Sequence, residues 1–106
     1  MPERTQLTQE DEALRQAHNH DRRALRTRAG LRWIADYLIS DYPSDPMTGD
    51  MAKRGARLYA LAAHSDDRAA NRLMWDVRRA LPEVRRTDTR DTYAARVRLI
   101  VEGVTV

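Results

Sequence analysis

Apolar residues recur every three or four positions in several stretches of the chain, and this is the periodicity of an amphipathic α-helix. The clearest stretch is residues 66–81, whose apolar stripe comprises Ala70, Leu73, Met74, Val77 and Leu81. Its polar positions face away from the stripe: Arg68, Arg72, Asp76 and Arg79. Ser65 is placed to cap the amino end of this helix, and Pro82 ends it. We therefore expect the other elements to pack around this helix, with Leu73 at the centre of the core.

The first 40 residues predict one long helix whose two halves differ. The second half carries a regular stripe of Leu31, Ile34, Ala35 and Leu38. Gly30 interrupts the pattern, but no capping residue stands just before Leu31. The sequence therefore favours one helix that is bent or loosened at Gly30 over two separate helices.

The first half of this helix, which we expect to start near Thr8, has sparse apolar positions. Leu7 and Leu14 lie seven residues apart, and their seam is continued by Ala17, Ala24 and Leu25. This area is too small to hold a helix by itself. Residues 1–28 therefore either lie across the core, pair with a second copy as a protruding or dimerising helix, or fray until a partner binds.

Residues 40–50 contain two prolines and a glycine and predict a turn. Thr48 or Asp50 can cap a following helix, whose small and apolar residues form two adjoining rows: Met51, Gly55, Leu58 and Ala62, and Ala52, Ala56, Tyr59 and Ala63. The short link at residues 64–65 predicts that this helix folds back onto the next one.

After Pro82, Thr87 or Thr89 can cap a last helix that carries Tyr93, Val97, Ile100 and Val101. The β-branched residues make a strand over residues 96–101 the competing prediction. Gly103 fits the left-handed position after a helix, with Val104 as its apolar contact.

Together these elements predict an all-α protein: a compact bundle of four or five helices in a single domain over residues 1–106. The length of 106 residues is enough for one hydrophobic core. A formal net charge of only +3 and an alanine-rich composition argue against a disordered chain.

Several classes of chemistry lack the residues they need. The chain has no cysteine, which excludes disulfides, thiolate metal ligands and a cysteine nucleophile. His18, His20, Asp21 and His64 could suggest a metal site, but His18 and His20 lie about 200° apart on a helix and cannot share an ion. The acidic residues stand singly at caps and turns, and no glycine-rich phosphate loop occurs. We therefore expect no metal, no cofactor and no enzymatic activity.

Membrane association is not expected either. The sequence contains no apolar run of about 18 residues and no basic-then-apolar leader at its amino end, so we expect a cytoplasmic protein.

Charge is unevenly distributed along the chain. Residues 1–21 carry a net charge of −3, whereas residues 22–35 carry +5 with no acidic residue among them. Arginine outnumbers lysine by 18 to one, which a GC-rich coding sequence explains, so the placement of the arginines matters more than their number. Residues 84–106 add a second group: Arg85, Arg86, Arg90, Arg96 and Arg98.

The arginines of residues 22–32 indicate a binding surface for phosphates or for an acidic protein. The candidate site residues are Arg22, Arg23, Arg26, Arg28, Arg32, Trp33 and Trp75. A helix-turn-helix over residues 58–81 is disfavoured, because its second helix would present two aspartates to the phosphates. We expect a small regulatory protein that binds nucleic acid through this helix. The alternatives are an inhibitor or adaptor that docks on a partner protein through the same helix and the tryptophans, and a solvated face that only maintains solubility.

Overall fold

The computed structural model describes the backbone of residues 2–103 and the side chains of residues 9–103. Within that part the chain forms four helices: α1 (Pro2–Ser40), α2 (Gly49–Ala63), α3 (Asp67–Ala80) and α4 (Arg90–Val101). No strand forms between residues 2 and 103, and residues 96–101 belong to α4. The predicted all-α bundle with a long N-terminal helix is confirmed.

The carboxyl half of α1 is the centre of the bundle, because it packs against α2, α3 and α4. Its predicted stripe is confirmed, since Leu31, Ile34, Ala35 and Leu38 are at most 2% exposed. α3 buries Ala70, Leu73 and Val77 as predicted, but our expectation that it organises the fold is wrong. The apolar arc of α1 is widened by Tyr37 and Ile39, which pack against the core, so α1 can meet neighbours on both sides.

α1 runs through Gly30 without an interruption. Gly30 is buried, and a Cβ atom there would lie 2.8 Å from Val77 Cγ2 and 2.9 Å from Tyr59 Cδ1. The prediction of one long helix rather than two separate helices is confirmed. The glycine serves close packing, since its missing side chain lets α2 and α3 approach α1.

The first half of α1 projects from the bundle. Every side chain from residue 9 to residue 26 is exposed, including Leu14 (70%) and Leu25 (63%), and the molecule is 65 Å long but only 19 Å across its shortest axis. The helix begins at Pro2, so the start predicted near Thr8 is wrong. The side chain of Leu7 and the whole of Val104 lie outside the described residues. We refer to residues 9–21 as the arm.

Three capping residues define the other helices. Thr48 caps α2 by accepting a hydrogen bond from the Met51 amide, and Thr89 caps α4 in a capping box with Thr92. Each is one of the two capping residues predicted for its helix. Asp66 caps α3 by accepting from the Ala69 amide at 2.9 Å, so the prediction of Ser65 is wrong. Gly103, the second residue after the end of α4, has the predicted positive φ of 84°.

α2 buries only small residues: Ala52, Gly55, Ala56 and Ala60. Because these residues are small, α2 can lie close to α1. A Cβ on Gly55 would be only 3.3 Å from Cγ1 of Ile34 on α1. The two predicted rows are correct only in part, because Leu58, Ala62 and Ala63 are exposed. α2 then folds back beside α3 as predicted.

Candidate functional site

The structure divides the five arginines of residues 22–32. Arg23 donates three hydrogen bonds to the carboxylate of Asp76: from Nη2 to Oδ1 at 2.9 Å, from Nη2 to Oδ2 at 3.1 Å and from Nε to Oδ2 at 3.2 Å. Arg28 Nη2 donates to the main-chain carbonyl of Val101 at 3.0 Å. In contrast, Arg22, Arg26 and Arg32 form no hydrogen bond or ion pair with any side chain of residues 9–103. Two of these five arginines are therefore engaged within the chain.

Asp76 joins α1 to α3. It also pairs with Arg79 at 2.9 Å, and its side chain is 14% exposed. Our expectation that Asp76 faces away from the bundle is wrong, because α3 packs with this edge against α1. Burial alone would raise the pKa of Asp76, but hydrogen bonds from Arg23 and Arg79, together with their charges, hold it below its ordinary value. The group is therefore ionised at neutral pH.

This packing brings arginines of α3 next to those of α1. A small notch between the two helices is lined by Arg23, Arg26, Arg72, Asp76 and His64. Arg22 lies one helical turn from Arg26, and Arg68 lies one turn from Arg72. We call the resulting region the α1–α3 surface, defined by Arg22, Arg23, Arg26, Arg68, Arg72 and Arg79. The one carboxylate in the notch, Asp76, already accepts bonds from two arginines.

Sequence reasoning missed Arg68, Arg72 and His64 as members of this site. The spacing of Arg68, Arg72 and Arg79 places them on one edge of α3, and this signal was visible in the sequence. Which helix that edge would meet depends on tertiary packing, and the periodicity of a single helix does not contain that information.

Arg32 does not join the α1–α3 surface, although the sequence placed it near Arg22 and Arg26. Arg28 and Arg32 line a separate, shallow cavity beside α4, together with Asp36 and Arg98. Arg98 pairs with Asp36 there at 3.0 Å. The arginines of residues 22–32, which the sequence analysis took as one binding surface, therefore lie on two sides of α1.

The two predicted tryptophans lie on different helices and are exposed. Trp33 stacks on Tyr37 with ring centroids 5.2 Å apart and an interplanar angle of 7°, and it also contacts Tyr59 of α2 at 5.9 Å. Trp33 follows Arg26 by seven residues on the same side of α1, about 10 Å along the axis. Trp75 lies beneath Arg78, whose guanidinium carbon is 4.3 Å from the ring centroid.

Most arginines of the second predicted group hold the last helix in place. Arg90 donates to the Asp41 carbonyl at 2.8 Å, and Arg96 donates to the Glu83 carbonyl at 3.0 Å and pairs with the buried Asp88. Burial would raise the pKa of Asp88, but a hydrogen bond from the Arg85 amide and the charge of Arg96 lower it below its ordinary value. Arg85 and Arg86 remain exposed on the link before α4.

Neither a metal site nor a membrane span can be identified in the described residues. No three His, Asp or Glu side chains between residues 9 and 103 come together as a metal-binding group. No helix in the described part of the chain has the length and apolar character needed to cross a membrane. Comparison with known protein families, curated proteins and solved structures finds no match to this chain.

Proposed function

We propose that the protein binds the phosphate backbone of nucleic acid through the α1–α3 surface. The observation that supports this most directly is the notch, in which Arg23, Arg26 and Arg72 surround one carboxylate that is already ion-paired. Because Asp76 is paired with Arg23, the positive charges of Arg26 and Arg72 have no acidic partner among the residues of the notch. A polyanion supplies negative charge, and the planar guanidinium group matches phosphate oxygens through paired N–H donors.

The cations with the clearest role are Arg22, Arg26 and Arg72. None of the three forms an ion pair with a side chain of residues 9–103, so each is available to a phosphate. Arg23 has a positioning role, because its bond to Asp76 joins α1 to α3, whereas Arg79 pairs with Asp76 within α3. A surface built from arginines on two neighbouring helices contacts phosphates and carries little sequence information. We therefore expect binding with weak sequence preference and strong dependence on salt.

The test compares two variants that lose the same charge. The first changes Arg22, Arg26 and Arg72 to Gln, and the matched control changes three exposed cations outside both the α1–α3 surface and the groove between α2 and α3, Arg32, Arg85 and Arg86, to Gln. Fluorescence anisotropy is measured on mixed-sequence duplex DNA and RNA at about 50 and 200 mM salt, a range over which several phosphate contacts change affinity by orders of magnitude. We expect the first variant to bind more weakly, with a log–log salt slope about 0.9 lower for each lost contact to B-form DNA, and the control to keep the wild-type slope.

Two results would contradict the proposal. One is a wild-type protein that binds neither nucleic acid at the lower salt, and recovery of an acidic protein from nuclease-treated lysate would then reassign the surface to protein docking. The other is an equal loss in the control variant, because that would reflect overall charge rather than this surface. Circular dichroism verifies that the exposed substitutions leave the helices intact.

A further inference from the structure

α2 and α3 enclose an open groove of about 700 Å³. Its floor includes Leu58 and Leu61, which are 43% and 54% exposed, and the half-buried Met74. The groove lies on the other side of α3 from α1: Met74 is about 160° around the helix from Asp76, which faces α1. Apolar side chains on two neighbouring helices are therefore left uncovered at one place.

The rim of the groove is cationic. Four basic residues line it: Lys53, Arg54, Arg57 and Arg78. Asp67 is the one acidic residue in the lining. An apolar floor with a cationic rim matches an amphipathic helix whose apolar side chains lie next to carboxylates. Such a helix would bury Leu58 and Leu61 and pair its carboxylates with the rim.

The arm of α1 carries this pattern. Glu10, Leu14, Ala17 and Asp21 follow one another at steps of four, three and four residues and so lie on one side of the helix. All four are exposed, and the arm has a net charge of −3 from four acidic residues against Arg15. Its 13 residues extend for about 20 Å, close to the length of about 22 Å for the 15 residues of α2.

The arm cannot occupy the groove of its own chain. α1 is a continuous helix, and the bonds between Arg23 and Asp76 fix it to the edge of α3 that faces away from the groove. To reach the groove, the chain would have to break α1 between Leu14 and Arg23. The complementary segment must therefore come from another molecule.

We propose that the groove between α2 and α3 binds the arm of a second copy of this chain. If each copy inserts its arm into the groove of the other, two equivalent interfaces form and the assembly closes as a two-fold dimer. The cationic rim and the acidic arm then form the electrostatic part of the interface, while Leu14 meets the floor made by Leu58 and Leu61. The arm reaches its partner as a helix that already exists.

The test uses two charge-reversal variants, alone and mixed. The arm variant changes Glu10 and Asp21 to Lys, and the groove variant changes Arg54 and Arg57 to Glu. Sedimentation equilibrium is measured at low salt from micromolar to near-millimolar protein. We expect the wild type to dimerise and each variant alone to associate at least about tenfold more weakly, because like charges then meet at both interfaces. An equimolar mixture should regain dimers close to the wild-type affinity, since each reversed arm meets a reversed groove.

A matched control changes Arg85 and Arg86 to Glu, the same charge change outside the groove, and should dimerise like the wild type. A wild type that stays monomeric over the whole range would overturn the proposal, as would a mixture that regains nothing. Dimers that survive both reversals would show that the copies associate through another surface, such as pairing of two arms.

This outcome is separable from nucleic-acid binding. The Arg22, Arg26 and Arg72 to Gln variant leaves the groove and the arm unchanged, so it should keep the wild-type dimerisation. Loss of dimers in that variant would count against the groove as the interface.

Discussion

The two halves of α1 are parts of one continuous helix with opposite surroundings. In the second half, the stripe residues fall at steps of three, one and three and are almost completely buried: Leu31, Ile34, Ala35 and Leu38. In residues 9–26, Leu14 and Leu25 are more than 60% exposed, and no other element covers them. Helix formation and core formation therefore depend on separate features of this sequence.

The spacing of apolar residues decides which half is buried. Steps of three and four produce a stripe that is wide enough for three neighbouring helices, whereas isolated leucines with charged residues between them do not. The exposed half relies on local terms, including the ion pair between Arg15 and Glu12 at 3.5 Å and the hydrogen bond that Gln16 donates to Glu12 at 3.3 Å. These terms are small, so this half should be the less stable one.

The largest expected effect comes from truncating one leucine in each half. Leu38→Ala should lower the free energy of unfolding by about 2–5 kcal/mol, because it opens a cavity at a fully buried site. Leu25→Ala should change it by less than about 0.5 kcal/mol, as is usual for an exposed side chain. Urea denaturation of both variants measures the contrast. Equal losses would mean that the first half of α1 is packed in solution, for example in a dimer, and repeating the measurement at a tenfold lower concentration would identify that case.

Much of the fold could be predicted from local patterns. The stripes of Leu31–Leu38 and Ala70–Val77, the caps at Thr48 and Thr89 and the corner at residues 64–65 are all encoded within a few residues of one another. The positive φ at Gly103 is likewise a local requirement. Such features need no knowledge of the partner element, which is why the sequence identifies them.

The candidate site could be predicted only in part, because it depends on how the helices pack. Arg22 and Arg26 were identified from the run of arginines, but Arg72 joins them through the contact between α1 and α3. The same contact pairs Arg23 with Asp76 and so removes Arg23 from the available cations. The packing role of Gly30 was missed for the same reason, since a glycine that allows close packing and one that bends a helix look alike in sequence.

A medium effect is expected at Gly30, where the two halves of α1 meet. An alanine usually stabilises a helix interior relative to glycine, but a Cβ at this position would lie 2.8 Å from Val77 Cγ2. Gly30→Ala should therefore lower the free energy of unfolding by about 1–3 kcal/mol through overpacking. Gly49→Ala is the control, because a Cβ there meets nothing within 4 Å and should be neutral or slightly stabilising. A stabilising Gly30→Ala would show that α2 and α3 are packed less closely on α1 than in this structure.

The smallest expected effect concerns the bond that holds the exposed half of α1 to α3. Arg23→Gln removes one of the two arginine partners of Asp76 and should lower the free energy of unfolding less than Leu38→Ala or Gly30→Ala, because an exposed ion pair contributes little to stability. The pKa of Asp76 lies below its ordinary value of 3.8, so the carboxylate contributes its full stabilisation above pH about 4 and loses it as the pH falls through the lowered pKa. Urea denaturation at several pH values should accordingly give a constant difference between wild type and Arg23→Gln above pH about 4, and a shrinking difference below it.

Arg22→Gln has the same charge change without the bond to Asp76 and should follow the wild-type pH dependence. If Arg22→Gln and Arg23→Gln behave alike, the bond to Asp76 does not hold α1 in solution, and the boundary between the two halves of the helix is set by the apolar stripe alone.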